Sequence, residues 1–439
     1  MIDKVLYIDP GTGSMLFSII IGIAGVLIFA GHALIIKLKF FFLGGRAKND
    51  AGNKIPICIF SEGKRYWNVF KPVLDEFEKR KKGIKYLTAS PDDPALTADY
   101  KYVQAEFIGE GNKAISKMNL IRADIVLSTT PSLDVFQWKR SKSVSYYVHI
   151  PHMPNDITTY KMFGLDFYDA VMVSGKYQEE QIRRIESIRS IPAKEIVLTG
   201  IPYLDKMKER LDSAAKPDSA NKEKTILLAP SWGNNGILKA YGASIIEKLV
   251  NTQYKIIIRP HPQSFTSEKE LIDKLMKQFP ESGKISWNRD PDNFNALNEA
   301  DILISDFSGV LFDFSLVFNK PIIYTEPSSD WSQYDCSWDT EELWTYQILP
   351  KIGRKLTQDN FENIGALIED CISGKNADEL AKGRDLAREQ TWCNIGQGAV
   401  KVADYLINKH DELVREAEKN ASGTGKPDTR RKSTKRLFA

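Results

Sequence analysis

Three of the five histidines in this 439-residue chain stand in two short proline-containing segments, Tyr146–Asp156 and Ile256–Pro262. Each segment begins with β-branched or aromatic residues that predict a buried strand, so its histidines fall in the loop after that strand. Proline fixes φ and lowers the freedom of such a loop, which holds an imidazole in one place. A fixed imidazole at His261 beside Arg259 suits phosphate recognition or stabilisation of a charged leaving group.

The N-terminal loop offers two histidines, His149 and His152, in an HxxH spacing. The same spacing occurs in metal sites, but no third ligand stands at a convincing distance. We therefore expect no metal and no cofactor. A histidine of this loop and His261 could flank one substrate in a cleft between domains. The residues alone leave open which of the two histidines would do so.

A different kind of site is predicted at Ser305–Gly309, where a buried strand ends and a helix begins near Ser308. Such a turn presents free backbone N–H groups and the positive end of a helix to an anion. Two hydroxyls and Gly309 allow close approach by phosphate oxygens. Asp306 or Ser308 could equally act as an ordinary N-cap, and capping and binding can coexist.

Two other turns after predicted strands carry weaker signals. Ser61 and Glu62 follow the first strand of the N-terminal half, and Ser231 follows the first strand of the C-terminal half. A turn of this type needs no function. We include all three residues only as candidates.

The elements that must position these residues are short apolar runs that alternate with helical patterns. Several runs are continuously β-branched, as is typical of strands buried on both faces of a parallel sheet. The alternation predicts doubly wound α/β sheets, whose ligands bind at the carboxyl ends of the strands. The predicted strands are Ile55–Phe60, Ile84–Thr88, Ile125–Ser128, Val144–Val148, Ala170–Val173, Ile196–Thr199, Thr225–Ala229, Tyr254–Ile258, Ile285–Trp287, Ile302–Ser305 and Pro321–Tyr324.

A polar segment without a strand pattern, residues 206–223, divides these runs into two groups. It predicts a linker between an N-terminal domain at 51–205 and a C-terminal domain at 224–416 that ends in closing helices. Residues 417–439 are polar and basic, and we expect a disordered tail there.

The composition excludes several classes of protein. Apolar residues make up 42% and charged residues 27%, values typical of a folded domain rather than a disordered chain. The net charge is +3, and the segment from Gly425 carries six basic residues and one acidic residue, so the rest of the chain carries −2. The body is therefore not a generally basic nucleic-acid binder. The four cysteines lack the spacing of a zinc module or a disulfide scaffold.

Residues 15–36 form a 22-residue apolar stretch in which His32 is the only ionisable side chain. About 20 apolar residues span a bilayer, so the stretch predicts a transmembrane helix within an anchor at residues 1–50. Basic residues follow it, and the positive-inside rule then places the body on the cytoplasmic side of the cell membrane. The alternative is a buried hydrophobic helix. The basic tail could also touch anionic lipid headgroups.

Taken in order, these segments resemble the CDP-glycerol glycerophosphotransferase family, which includes teichoic acid polymerases and primases. The resemblance covers roughly residues 55–408. Its most specific parts are IIIRPHP at Ile256–Pro262 and SDFSGVLFDFSLVFNKPIIY at Ser305–Tyr324. Supporting parts are SEGKRYWNVFKPVL at Ser61–Leu74, the histidine loop, LTGIPYLD at Leu198–Asp205 and ILLAPSWG at Ile226–Gly233.

The resemblance implies a GT-B fold, with two Rossmann-like domains and an active site between them. It implies that one histidine of the N-terminal loop and His261 take part in catalysis. It also implies that the C-terminal domain binds most of the donor, through Arg259, Ser231, Ser305, Asp306, Ser308 and Gly309. The acceptor side would then include His149, Ser61 and Glu62.

One departure from the family concerns the N-terminal loop. Teichoic acid polymerases carry Trp-His-Gly there, whereas this chain reads Val148-His149-Ile150 and then Pro151-His152-Met153. A related branch of the family has a loop whose register selects His152, and we take His152 as the catalytic residue.

The expected function is a membrane-anchored transferase of cell-envelope biogenesis. It would move glycerophosphate, or a related polyol phosphate, from a CDP-alcohol to a hydroxyl of a lipid-linked or glycan acceptor, releasing CMP. We expect membrane lipids as partners and no nucleic acid. The alternatives are a GT-B glycosyltransferase that uses a nucleotide sugar, and an inactive membrane-tethered binding protein.

Overall fold

The computed structural model describes Gly31 and residues 54–214, 223–233, 236–290, 292–306, 308–326 and 330–422. The chain divides into two units at Lys54, and the described residues fall almost entirely in the second unit. The predicted span at residues 15–36 lies outside the described residues, apart from Gly31. Within the described ranges, no helix is long and apolar enough to cross a membrane.

The second unit contains two parallel sheets. The strands of the first sheet are β1 (Ile55–Ser61), β2 (Ile84–Thr88), β3 (Val103–Phe107), β4 (Ala123–Ser128), β5 (Val144–His149), β6 (Ala170–Val173) and β7 (Glu195–Leu198). Their spatial order is β3-β2-β1-β4-β5-β6-β7. The strands of the second sheet are β8 (Thr225–Leu228), β9 (Lys255–Ile258), β10 (Ile285–Trp287), β11 (Ile302–Ser305), β12 (Ile322–Tyr324) and β13 (Gly353–Lys355), in the order β10-β9-β8-β11-β12-β13.

Helices connect the strands and cover both sheets. They are α1 (Trp67–Lys79), α2 (Asn112–Met118), α3 (Lys176–Arg189), α4 (Pro202–Ser213), α5 (Ile237–Tyr241), α6 (Ala243–Val250), α7 (Ser264–Ser267), α8 (Lys269–Gln278), α9 (Phe294–Glu299), α10 (Val310–Phe312), α11 (Trp344–Ile352), α12 (Gln358–Phe361), α13 (Ile364–Ile372), α14 (Gly374–Thr391) and α15 (Gly398–Ala421). A π-helical turn, Asp313–Val317, continues α10.

Strand β1 shows why the apolar runs are continuous. Ile57 and Ile59 belong to a core cluster that includes side chains of α1, whereas Cys58 and Phe60 belong to a cluster that includes side chains of α2. Successive side chains of a strand point to opposite faces, so both faces of the sheet are buried. The prediction of two parallel α/β sheets is confirmed, and each of the eleven predicted strands is present.

Two edge strands, β3 and β13, were absent from the prediction. Only Val103 is buried in β3, and β13 reads Gly353-Arg354-Lys355 with no apolar side chain. Edge strands expose much of their surface, so neither segment carries the apolar run that marked the central strands.

The boundaries also differ from expectation at the C-terminal side. Residues 206–213 of the expected linker are helical, as part of α4, and residues 215–222 lie outside the described ranges. Helix α15, expected to close the second domain, packs its buried Val402 and Leu406 into the core of the first sheet. The helix runs to Ala421, so residues 417–421 are helical rather than part of a disordered tail.

The order of each sheet reverses once, between β1 and β4 and between β8 and β11. At such a switch point the connections leave to opposite sides, which opens a crevice at the carboxyl ends of the strands. We call residues 61–63, 128–130 and 149–153 the first edge. We call residues 229–233, 259–263, 305–306 and 308–309 the second edge.

Candidate active site

His149 ends β5 and is completely buried at the first edge. Its Nε2 lies 3.0 Å from the hydroxyl of Tyr160, and its ring meets the rings of Tyr160 and Tyr168 edge to face. Burial, followed by the nearby His152, lowers the pKa of His149 to about 3. This histidine is therefore neutral at pH 7 and is held by aromatic neighbours.

His152 lies in the loop three residues later and is partly exposed. Its ring meets the ring of Tyr66 edge to face, with centroids 5.4 Å apart. Burial of the ring, together with the positive charge of Arg65, lowers the pKa of His152 to about 4. A neutral imidazole has a free lone pair, so His152 is in the correct state to accept a proton at pH 7.

The other two candidates of the first edge have different surroundings. Ser61 is completely buried, and its hydroxyl donates to the carbonyl of Gly63 at 3.0 Å. It therefore shapes the turn after β1. The Glu62 carboxylate is partly exposed and lies 3.4 Å from the guanidinium of Arg65.

Sequence reasoning missed Thr129 and Thr130, which follow β4 directly. Both hydroxyls are buried, and neither has a hydrogen-bond partner in the described part of the chain. Strand β4 lies between β1 and β5, with Ser128 aligned with His149. Each hydroxyl can donate one hydrogen bond and accept others, so both add polar groups to the first edge. The polar run Ser-Thr-Thr after a buried strand was the available signal.

At the second edge, Asp306 holds the loop after β8. Its Oδ2 accepts hydrogen bonds from the N–H groups of Ser231 at 2.8 Å and Ile237 at 2.9 Å. Burial raises the pKa of Asp306, and these hydrogen bonds oppose the shift. The buried hydroxyl of Ser305 donates to the carbonyl of Ala229 at 2.5 Å. Direct contact of the Ser305 hydroxyl with a ligand would require that bond to break.

Ser308 and Gly309 form the turn that leads into α10. Both are partly exposed, and the N–H of Ser308 donates to the carbonyl of Asp306 at 2.8 Å. The helix begins at Val310, close to the predicted position. Backbone N–H groups at the start of a helix lack intrahelical partners, and this turn can offer them to an anion.

His261 is exposed at the second edge, in the loop after β9. Its backbone N–H donates to the carbonyl of Pro230 at 3.2 Å, and its Nδ1 accepts the N–H of Gln263 at 3.1 Å. The second bond leaves Nε2 to carry the proton of the neutral ring, so Nε2 can donate to a phosphate oxygen. Partial burial lowers the pKa of His261, opposed by the negative charge of Asp306.

Arg259 is partly buried, and its guanidinium donates to the side chain of Asn288, which follows β10. Burial lowers its pKa, and the carboxylates of Asp290 and Asp292 oppose that shift. Arg259 follows β9, which lies between β10 and β8. Its bond to Asn288, after β10, therefore directs the guanidinium away from β8 and the switch point.

The two edges meet at Met153 and Gly309. A Cβ placed on Gly309 would lie 3.3 Å from Cε and 3.4 Å from Sδ of Met153. Met153 follows His152 directly, so the histidine loop of the first sheet contacts the Ser305–Gly309 turn of the second. Among the described residues, no group of three or more His, Cys, Asp or Glu side chains could hold a metal ion.

The buried carboxylate of Asp156 joins the two halves of the molecule near this contact. It accepts hydrogen bonds from the N–H groups of Trp344 at 2.7 Å and Thr345 at 2.9 Å, at the start of α11. Trp344 stacks on Tyr177 of α3, with ring centroids 4.5 Å apart. These contacts fix the histidine loop relative to the second sheet.

Two parallel α/β sheets whose carboxyl edges face each other define the class of GT-B-like proteins. Comparison with protein families gives the family itself. The model of the CDP-glycerol:poly(glycerophosphate) glycerophosphotransferase family matches residues 120–393, more than half of the chain. The chain belongs to this family, and it is a CDP-glycerol glycerophosphotransferase-like transferase. No curated protein matches it.

Solved structures share the fold. The wall teichoic acid polymerase TagF is 14% identical with a TM-score of 0.54, over 84% of this chain and 92% of the polymerase chain. A putative UDP-N-acetylglucosamine 2-epimerase from Listeria monocytogenes is 13% identical with a TM-score of 0.53, over 85% of this chain and 98% of its own. At these identities the likeness establishes the two-domain fold alone. That fold carries different chemistries in these two proteins.

Proposed function

We propose that this protein transfers glycerophosphate from CDP-glycerol to an acceptor hydroxyl. The acceptor oxygen would attack the distal phosphorus, a new P–O bond would form, and the bond from that phosphorus to the CMP oxygen would break. The products would be a glycerophosphoryl-acceptor and CMP. The contact between Met153 and Gly309 carries this proposal. It brings the loop of the neutral His152 against a turn that can bind a phosphate group.

His152 would accept the proton of the attacking hydroxyl. It is neutral at pH 7, and it stands beside the residue that touches the second edge. A pKa near 4 makes a weak base, but the negative charge of a bound diphosphate would raise it toward the working pH. The complete burial of His149 and its bond to Tyr160 favour His152 over His149 as the base.

The second edge would hold the donor diphosphate. His261 would donate from Nε2, Ser308 would donate from its hydroxyl, and Gly309 would present its backbone N–H group. Arg259 would contribute positive charge after giving up its bond to Asn288. Ser231, Ser305 and Asp306 would fix the shape of the edge through the hydrogen bonds described above. Phosphoryl transfer depends mainly on such positioning and charge neutralisation.

The test is release of CMP by the purified full-length protein supplied with CDP-glycerol and a membrane extract of its host. We expect CMP with wild type and very little with His152→Ala. We also expect activity to survive EDTA, since the proposal includes no divalent metal. Absence of CMP with both CDP-glycerol and CDP-ribitol would contradict the proposal. Release of UDP or CDP from a nucleotide sugar would indicate a glycosyltransferase instead.

We also propose that residues 15–36 anchor the protein in the cell membrane, with the catalytic body on the cytoplasmic side and a lipid-linked or glycan acceptor. The length of the apolar stretch and the basic residues after it support this arrangement. Deletion of residues 1–40 should yield protein that no longer partitions with membranes and still binds the donor. A truncated protein that remains an integral membrane protein would contradict the anchor.

A further inference from the structure

Trp232 lies in the loop after β8, four residues beyond the end of that strand and between the two other segments of the second edge. The residue before it, Ser231, donates its N–H to Asp306 at 2.8 Å. The residue before that, Pro230, accepts the N–H of His261 at 3.2 Å. Trp232 therefore follows a backbone that is fixed to both the 305–309 turn and the histidine loop after β9.

The backbone after Trp232 is also held. The N–H of Gly233 donates to Oε1 of Glu268 at 3.1 Å, and the N–H of Gly236 donates to the carbonyl of Gly233 at 3.0 Å. Gly233 has φ +94°, a conformation that residues with a side chain rarely adopt. These contacts fix the direction of the chain on both sides of the tryptophan.

The indole of Trp232 is nevertheless in solvent. The residue is 53% exposed, the highest value among the eight tryptophans, whereas Trp138, Trp287, Trp344 and Trp392 are 3–6% exposed. A single exposed apolar residue is ordinary on a protein surface. An exposed indole on a fixed loop at a switch point can stack against a planar group of a ligand.

We propose that Trp232 binds the nucleotide base of the donor by stacking. The inference rests on the proposed function, which places a CDP-alcohol at this edge. Its diphosphate would use the charged and N–H groups of the edge, and its polyol must face the acceptor. The base is the part of the donor that has no contact assigned so far. Its flat π-face can stack on an aromatic side chain.

The experiment compares two ligands that differ by the base alone, CDP and ribose 5-diphosphate, on purified full-length protein by calorimetry. Wild type should bind CDP more tightly than ribose 5-diphosphate. Trp232→Ala should weaken CDP binding about ten- to a hundredfold, the range of one base stacked on one aromatic ring, and leave ribose 5-diphosphate unchanged. Trp232→Phe should restore most of the affinity for CDP.

Phe136→Ala is the matched control, because Phe136 is 56% exposed and lies between β4 and β5 of the first sheet. It should change neither affinity. Equal weakening of both ligands by Trp232→Ala, or no weakening, would overturn the stacking contact and leave the proposed function intact. Failure of wild type to bind CDP would overturn the donor assignment and this inference together. In the Phe variant, a retained affinity with loss of the CDP-induced change in tryptophan fluorescence would locate the base at residue 232.

Discussion

The first and second edges belong to sheets of the same type, yet they offer opposite environments. At the first edge the histidines are neutral, with pKa values lowered to about 3 for His149 and about 4 for His152. Two buried hydroxyls there, those of Thr129 and Thr130, have no partner among the described residues. At the second edge His261 is exposed, Asp306 holds the backbone of the loop after β8, and the Arg259 guanidinium is bonded to Asn288.

In the proposed reaction the two edges would therefore have separate tasks. A proton acceptor must be neutral before the reaction, and burial produces that state at the first edge. A diphosphate needs fixed donors and positive charge, and the second edge supplies them without burying the site. Variants of the two edges should therefore fail in different ways.

The largest effect is expected for His152→Ala. Turnover should fall by about two orders of magnitude or more while donor affinity stays nearly constant, because loss of a general base acts on the transition state. His261→Ala should reduce both turnover and donor affinity, since its contacts form already in the ground state. Steady-state rates of CMP release and calorimetric titration of CDP-glycerol measure the two quantities separately.

His149→Ala provides the control at the same edge, at the end of β5, and we expect it to affect turnover only mildly. A severe effect of His149→Ala together with a mild effect of His152→Ala would reverse the assignment of the base. Full activity of both variants would remove the first edge from the proton transfer. The donor-side part of the proposal would then stand alone.

The next effect concerns the charge and turn of the second edge. Ser308→Ala and Arg259→Ala should each weaken binding of CDP-glycerol by about ten- to a hundredfold, because a charge-assisted phosphate contact contributes about 1.5–3 kcal/mol. Thermal unfolding should change little, since both side chains are partly exposed.

Arg415→Ala is the control for loss of charge. Arg415 is exposed on α15, and its Nε bonds to the carbonyl of Asp411 in the same helix. Unchanged affinity in both Ser308→Ala and Arg259→Ala would place the donor elsewhere. A loss only in Ser308→Ala would mean that Arg259 keeps its bond to Asn288 when the donor is bound.

The sequence predicted the central strands because their side chains are buried on both faces. Runs such as Ile256-Ile257-Ile258, which is buried throughout, are typical of strands covered on both faces of a parallel sheet. The same logic fails for β13, which reads Gly-Arg-Lys and pairs only through its backbone with β12. Backbone pairing at an edge leaves no mark in the residue types, so such strands are found only in the folded structure.

The positions of the candidate site residues could be predicted from the sequence, but their contacts could not. Strand ends located His152, His261 and Ser308, since parallel strands bring their carboxyl ends to one edge. The contact of Met153 with Gly309 depends on how two domains are oriented, which local patterns do not encode. The burial of the Thr129 hydroxyl without a hydrogen-bond partner among the described residues also depends on distant segments that pack around it, so its neighbours in the chain do not predict it.

The smallest effect concerns stability against acid and tests the burial of the first edge. The pKa of His149 falls from 6.5 to about 3 on folding, so the unfolded chain binds more protons between these values. Stability should therefore rise with pH across this window and fall as the pH drops below 6.5. Between pH 7 and pH 5 this one group accounts for a loss of at most about 2 kcal/mol.

In His149→Gln, which can still bond to Tyr160, that share of the loss should disappear. His261→Gln should alter the slope much less, because His261 is exposed and its pKa is lowered only by partial burial, which the charge of Asp306 opposes. Urea unfolding of the full chain, followed by tryptophan fluorescence at several pH values, measures both slopes. Equal slopes for wild type and His149→Gln would mean that water reaches the imidazole, and the contrast between a buried first edge and an open second edge would be lost.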